Sequence, residues 1–199
     1  MAVQIKFGTS GWRAIMAEEF TFATVRRAVS GIARYVVSQK PAGARVIIGR
    51  DPRFLGETFC AMAAEILSAH GVTPLVIADA APTPAISYAV IREKADGAIN
   101  FTASHNPPEY NGIKFSTPDG APALPEATQR IEAEIATFDS GQPEGGAKQK
   151  PAPQSLDPRG SYLERLKEIV DLTAIRKAGL RVVYDPLWGA ARGFPDSVL

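Results

Sequence analysis

A chain of 199 residues with 22 basic and 21 acidic side chains has a formal net charge of +1, without the basic stripe of a nucleic-acid surface or the acidic block of a solvating tail. With 45% hydrophobic residues it can bury a globular core, yet no run of about 18 apolar residues is present to span a membrane. Cys60 is the only cysteine and there are two histidines, which excludes an intrachain disulfide, argues against a zinc site and, with no signal-peptide-like N-terminus, predicts a cytoplasmic protein.

Val3 to Phe7 alternates like a short strand and runs into Gly8-Thr9-Ser10-Gly11-Trp12-Arg13, which reads as a flexible turn carrying hydroxyls and a guanidinium. Thr21 is placed to cap a helix through about Gln39, whose Val25, Val29, Ile32 and Val36 recur at helical spacing. Arg45 to Gly49 reads as a buried strand, followed by the charged turn Arg50-Asp51-Pro52-Arg53. The next helix buries Phe59, Met62, Ala63, Ile66 and Leu67 and stops at His70-Gly71.

Thr73 to Ile77 is a further strand, Pro82-Thr83-Pro84 opens a helix to about Lys94, and Gly97 to Phe101 is a strand leading into Thr102-Ala103-Ser104-His105-Asn106-Pro107. Asn111-Gly112 reads as a turn, Ile113 to Ser116 as a brief strand, and Pro125 to Phe138 as a helix. Strands alternating with helices predict a three-layer α/β/α domain with a mixed, largely parallel sheet over residues 1–138. Residues 139–159 are rich in Pro, Gly and Gln and read as a linker. Residues 160–199 then offer a helix around Tyr162 to Val170 and a strand over Leu180 to Tyr184, the start of a second, truncated α/β domain.

The chemistry concentrates at Ser104. It follows a strand at the carboxyl end, where open α/β sheets place their ligands, and Asn106, Pro107 and Pro108 stiffen its loop. A Ser-His dyad with the adjacent His105 is not implied, because neighbours in an extended chain point to opposite sides. Neither a Gly-x-Ser-x-Gly elbow nor a P-loop is present. Lys114 and Arg13 are either surface cations or the positive charges that a phosphoryl transition state requires.

Phe7-Gly8-Thr9-Ser10-Gly11-Trp12-Arg13, Gly49-Arg50-Asp51-Pro52-Arg53, Thr102 to Pro107, Asn111-Gly112-Ile113-Lys114 and Asp185-Pro186-Leu187-Trp188-Gly189-Ala190 together resemble the α-D-phosphohexomutases, the phosphoglucomutase/phosphomannomutase family. The resemblance implies that Ser104 is a phosphoserine passing its phosphoryl group to a hexose phosphate through a hexose 1,6-bisphosphate, with Mg²⁺ bound through the serine phosphate. It implies that His105, Lys114 and Arg13 belong to the catalytic set, and that Thr9, Ser10 and Asn106 bind substrate or phosphate. Ala14 stands where many members have glycine, and the family's metal, sugar and phosphate loops have no counterpart in the sequence. The chain alone is therefore expected to be inactive and to self-associate through 160–199; the alternatives are a non-catalytic sugar-phosphate-binding module or one half of a split enzyme.

Overall fold

The computed structural model describes residues 3–8, 11–137 and 146–198. Its sheet has six strands, β1 (Trp12–Ile15), β2 (Arg45–Arg50), β3 (Thr73–Ile77), β4 (Ala98–Phe101), β5 (Tyr110–Ser116) and β6 (Gln154–Leu156), in the order β1-β5-β4-β2-β3-β6. The β4-β2-β3-β6 neighbours are parallel, while β5 pairs antiparallel with both β4 and β1. The mixed, mostly parallel α/β architecture is the one the alternation of strands and helices predicts.

Burial follows the pleat. In β2, Val46 and Ile48 enter the cluster formed with α1 (Phe22–Gln39), α2 (Gly56–Ala69) and α4 (Pro125–Ala136), and Ile47 enters the cluster formed with α3 (Thr83–Glu93). A strand covered on both faces has no polar side to show, which is why this run is continuously apolar. Thr21 caps α1 as expected: its hydroxyl accepts from the Thr24 amide at 3.2 Å, and its own amide donates to the Thr24 hydroxyl at 2.9 Å. Phe20, Phe59 and Phe101 stack and interlock beneath the site-bearing edge, with centroids 5.2 and 5.8 Å apart.

Four local expectations change. Val3 to Phe7 joins no ladder; Ile5 and Phe7 are buried, and the Phe7 amide donates to Glu132 Oε1 at 2.6 Å, so the alternation reports one-sided packing rather than pairing. The turn expected through Arg13 gives way to β1 from Trp12 onward, with Trp12 and Ala14 buried. Asn111 and Gly112 lie inside β5, opposite Ala14 and Arg13; the reversal that makes the β4–β5 hairpin is the Ser104 loop itself. A Cβ on Gly112 would fall 2.6 Å from the Trp12 carbonyl oxygen and 2.7 Å from that of Thr102, so glycine there permits close approach rather than a turn.

The fourth change lies beyond residue 146. Gln154–Leu156, inside the stretch read as linker, adds β6 beside β3, because an open strand edge accepts backbone partners of almost any sequence. Past it come α5 (Arg159–Ile169), α6 (Leu172–Lys177) and a 3₁₀ turn at Pro195–Ser197. Tyr162 and Leu163 pack on the α3 side of the domain, where Phe194 is buried and lies 5.9 Å from the Tyr162 ring. The strand expected over Leu180 to Tyr184 does not form; Leu180, Val182 and Val183 are exposed. The end of the helix expected at Phe138 lies outside the described residues.

Candidate active site

The parallel strands β2, β3 and β4 end on one edge, and the loops that follow them meet there. The Asp51 amide donates to the Phe101 carbonyl at 3.0 Å, and the Ala81 amide donates to that of Arg50 at 3.0 Å. Arg50, itself buried, donates to Glu57 Oε1 at 2.7 Å and to the Ala78 carbonyl at 3.1 Å, knitting the β3–α3 loop to the start of α2. Over this edge opens a cleft of about 1050 Å³ lined by Asp51, Arg53, Thr83, Thr102, Ser104 and His105, among others.

Ser104 is exposed at the top of the hairpin with φ at +59°, the left-handed region that costs a non-glycine residue on the order of 1 kcal/mol and persists only where its surroundings impose it. Its amide donates to Thr102 Oγ1 at 3.0 Å, and the Thr102 hydroxyl donates to Asp51 Oδ2 at 2.6 Å. The twisted backbone also overrides the alternation argument about His105: Ser104 Oγ and His105 Nδ1 lie 3.4 Å apart, at the long limit of a hydrogen bond.

Arg13, projecting from β1, donates to Asn106 Oδ1 at 3.0 Å and so ties the first strand to the Ser104 loop. Lys114 sits on β5 opposite Asn100. It lines a small enclosed cavity of about 100 Å³ that shares Thr83 with the main cleft, and it makes no hydrogen bond to Ser104 among the described residues. Burial lowers the Lys114 pKa below the usual lysine value; the nearby Arg13 guanidinium lowers it further, and the Asp51 carboxylate opposes both. Arg13, Asn106, Ser104 and His105 are thus joined through contacts, and Lys114 is joined to them through charge. Thr9 and Ser10 lie outside the described residues.

What the sequence did not disclose is the task of Arg53, which stands there as the last charge of the Gly49-Arg50-Asp51-Pro52-Arg53 segment. It reaches over the cleft floor and donates to the carbonyls of Ser104, Asn106, Pro107 and Tyr110. The available signal, a guanidinium two residues after an aspartate at a strand's carboxyl end, does not specify what it will hold.

Magnesium needs oxygen ligands, usually including carboxylates. Among the described residues no three His, Cys, Asp or Glu side chains gather as a metal site. Asp51 accepts from the Arg53 amide through Oδ1, and from Thr102 and Arg53 Nε through Oδ2. These residues do not make a Mg²⁺ site by themselves. No helix among the described residues is long and apolar enough to cross a membrane.

Comparison with known proteins agrees with the geometry. A phosphoglucosamine mutase from Corynebacterium urealyticum is 33% identical over 93% of this chain and 41% of its own length. A phosphoglucomutase from Komagataeibacter xylinus is 31% identical over 94% of this chain and 37% of its own. The chain therefore spans about two fifths of the length of these curated relatives. A Thermus thermophilus protein of known crystal structure superposes with a TM-score of 0.77 at 37% identity, over 88% of this chain and 38% of that one. The model of the phosphoglucomutase/phosphomannomutase α/β/α domain I matches residues 4–142, and with that match the chain belongs to the α-D-phosphohexomutase family.

Proposed function

We propose that this chain carries the phosphoserine side of a phosphohexomutase site, in which Ser104 exchanges a phosphoryl group with a hexose phosphate. The observation that carries the reading is the exposed Ser104 hydroxyl, held on a strained turn at the strands' carboxyl edge, with Arg13 tied to the same loop through Asn106 and Lys114 within the electrostatic reach of Arg13. In the forward half-reaction the P–O bond to Ser104 Oγ breaks as a bond forms to the O1 or O6 hydroxyl of the sugar. The hydroxyl proton passes to neutral Lys114, a form that burial and the Arg13 charge favour, and from there to the departing Ser104 Oγ. Return of the other phosphoryl group from the hexose 1,6-bisphosphate regenerates phospho-Ser104, as the Ser104 hydroxyl proton passes to Lys114 and on to the leaving sugar oxygen.

Arg13 anchors Asn106 and supplies fixed positive charge, which is most of what a dispersed phosphoryl transition state asks of a protein. His105 is placed to share a proton with Ser104 Oγ when that oxygen is free. A Mg²⁺ ion held through the Ser104 phosphate would supply further neutralisation of its ~−1.5 to −2 charges. The cytoplasm is the compartment of this chemistry, and the 199 residues alone turn over no hexose phosphate.

The test is mass spectrometry after incubation with glucose 1,6-bisphosphate or mannose 1,6-bisphosphate. One phosphoryl group on Ser104, absent in Ser104→Ala, is expected. A phosphoryl group on another residue would sink the assignment. Adding in trans the part of a relative's chain that these 199 residues do not span should give mutase turnover; turnover without it would show that the chain alone is a complete enzyme.

A further inference from the structure

We infer that Arg53 is the positioning residue of the Ser104 loop: its guanidinium is a template that fixes the loop backbone, and thereby the direction of the Ser104 hydroxyl. An arginine side chain has five N–H donors in a rigid planar fork, and every one is engaged here. Nε donates to Asp51 Oδ2 at 3.3 Å; Nη1 donates to the Pro107 and Tyr110 carbonyls at 2.8 and 2.9 Å; Nη2 donates to the Ser104 and Asn106 carbonyls at 3.1 and 2.6 Å. The Arg53 side chain is only 14% exposed; its bonds to Asp51, Tyr110 and Asn106 are partly buried, and those to the Pro107 and Ser104 carbonyls lie at the surface.

Four carbonyls drawn to one plane determine where the rest of each peptide points. With its carbonyl held at Arg53 and its amide held at Thr102 Oγ1, Ser104 has both flanking peptides fixed, and the positive φ follows from the two constraints together. Asp51 completes the device by receiving Arg53 Nε, the Arg53 amide and the Thr102 hydroxyl. The same carboxylate raises the Lys114 pKa against burial, so one aspartate supports the nucleophile's loop and tempers the cation. The role is geometric. A lysine at position 53 keeps the charge but has three donors around a point, not five in a fork.

The activity arm of the test rests on the function proposed above; the structural arm does not. In the full chain, Arg53→Lys and Thr102→Val are compared with the parent by amide hydrogen exchange at residues 104–106 and by the rate of Ser104 phosphorylation from glucose 1,6-bisphosphate. Expected in Arg53→Lys are faster exchange at Ser104 and Asn106, unchanged exchange in β2 and β4, and phosphorylation slowed by about 10²-fold, the scale of a displacement near 1 Å. Thr102→Val should loosen the Ser104 amide alone, and added methylguanidinium should partly restore phosphorylation to Arg53→Ala but not to Arg53→Lys. Protected loop amides in Arg53→Lys would overturn the inference, as would full activity. Loosened loop amides in a chain whose parent takes up no phosphoryl group would uphold the template and remove the proposed function instead. If Arg53→Lys fails to fold, Thr102→Val decides: an unchanged Ser104 amide overturns the two-sided clamp.

Discussion

Arg45-Val46-Ile47-Ile48 and Leu180-Arg181-Val182-Val183 are close in composition, and both read as strands, yet they end in opposite states. The first becomes β2, laddered between β3 and β4 and covered by helices on both sides, with Val46, Ile47 and Ile48 at 0% exposure. The second joins no ladder, and Val183 is 95% exposed. The difference is one of context: β-branched side chains favour a pleated, half-buried surface, and they form one only where neighbouring strands and a covering layer exist. Within residues 146–198 Leu156, Tyr162, Leu163 and Phe194 found cover in the cluster on the α3 side.

The contrast is broken most directly by truncating each run. Ile48→Ala should cost about 2–5 kcal/mol, the range for deleting a buried branched side chain, whereas Val183→Ala should stay within about 0.5 kcal/mol. Urea denaturation of the two variants side by side measures both, and similar losses would mean that the second run is buried in solution. Phe194→Ala should fall between them, near ~1.5–3 kcal/mol for one buried aromatic. Its effect should be local, freeing α5 to hydrogen exchange while leaving β2 protected.

Gly112→Ala sharpens the same point at the site. The added methyl meets two backbone oxygens, and overpacking of this kind typically costs about 1–3 kcal/mol. Because those oxygens belong to Trp12 and Thr102, the Arg13–Asn106 bond and the Ser104 loop should shift together. A Gly112→Ala chain with parental stability and unchanged loop amide shifts would show that β1 and β5 can separate without consequence.

Much of the layout was legible in the residues, for definite reasons. α1 announced itself through Thr21 and a 3.6-residue stripe, and β2 through an apolar run too short for a helix. What stayed hidden depends on partners far along the chain. β1 was masked by Gly8 and Gly11, although Trp12 and Ala14 alternate correctly. β6 has no apolar pattern at all and exists because β3 had a free edge. At the site, Ser104, Arg13 and Lys114 stood out by residue type and motif, whereas Arg53 is recognisable only once the carbonyls of residues 104–110 are in place. The spacing of sequence motifs says which groups are present, not which backbone atoms they will meet.

Lys114 offers a smaller and more specific effect. An unfolded lysine keeps its proton until near 10.5, and the folded one releases it earlier. Between those values the unfolded state binds more protons, so unfolding free energy should rise with pH across that window and fall as pH drops through the folded value. Lys114→Met should abolish this increment. The measurement is the difference between the parent and the variant in denaturation midpoint across the alkaline range. The difference matters because burial raises the Cys60 thiol to about 12. That shift works the other way in both chains, costing stability as pH climbs past 9.0. A parent-minus-variant slope of zero or below would contradict the burial of Lys114.

The smallest effect concerns what the uncovered run does in solution. Self-association was expected through residues 160–199 as a whole, but α5 already packs by Tyr162 and Leu163, so it has less to gain from exchange between copies. The largest cluster still exposed in this region is residues 180–188, where Leu180, Val182, Val183, Leu187 and Trp188 are exposed and the backbone joins no ladder. Arg192 stacks over the Trp188 ring at 4.5 Å and leaves it 79% exposed. A short exposed apolar segment whose backbone joins no ladder should give weak, concentration-dependent dimers and not a tight assembly. Light scattering over a concentration series should therefore show a modest rise in mass for the full chain, reduced by Val183→Lys and absent in a chain ending at residue 137. Association that survives Val183→Lys would move the interface to the α5 side, whereas a full chain that stays monomeric throughout would mean that water is a sufficient partner for this run.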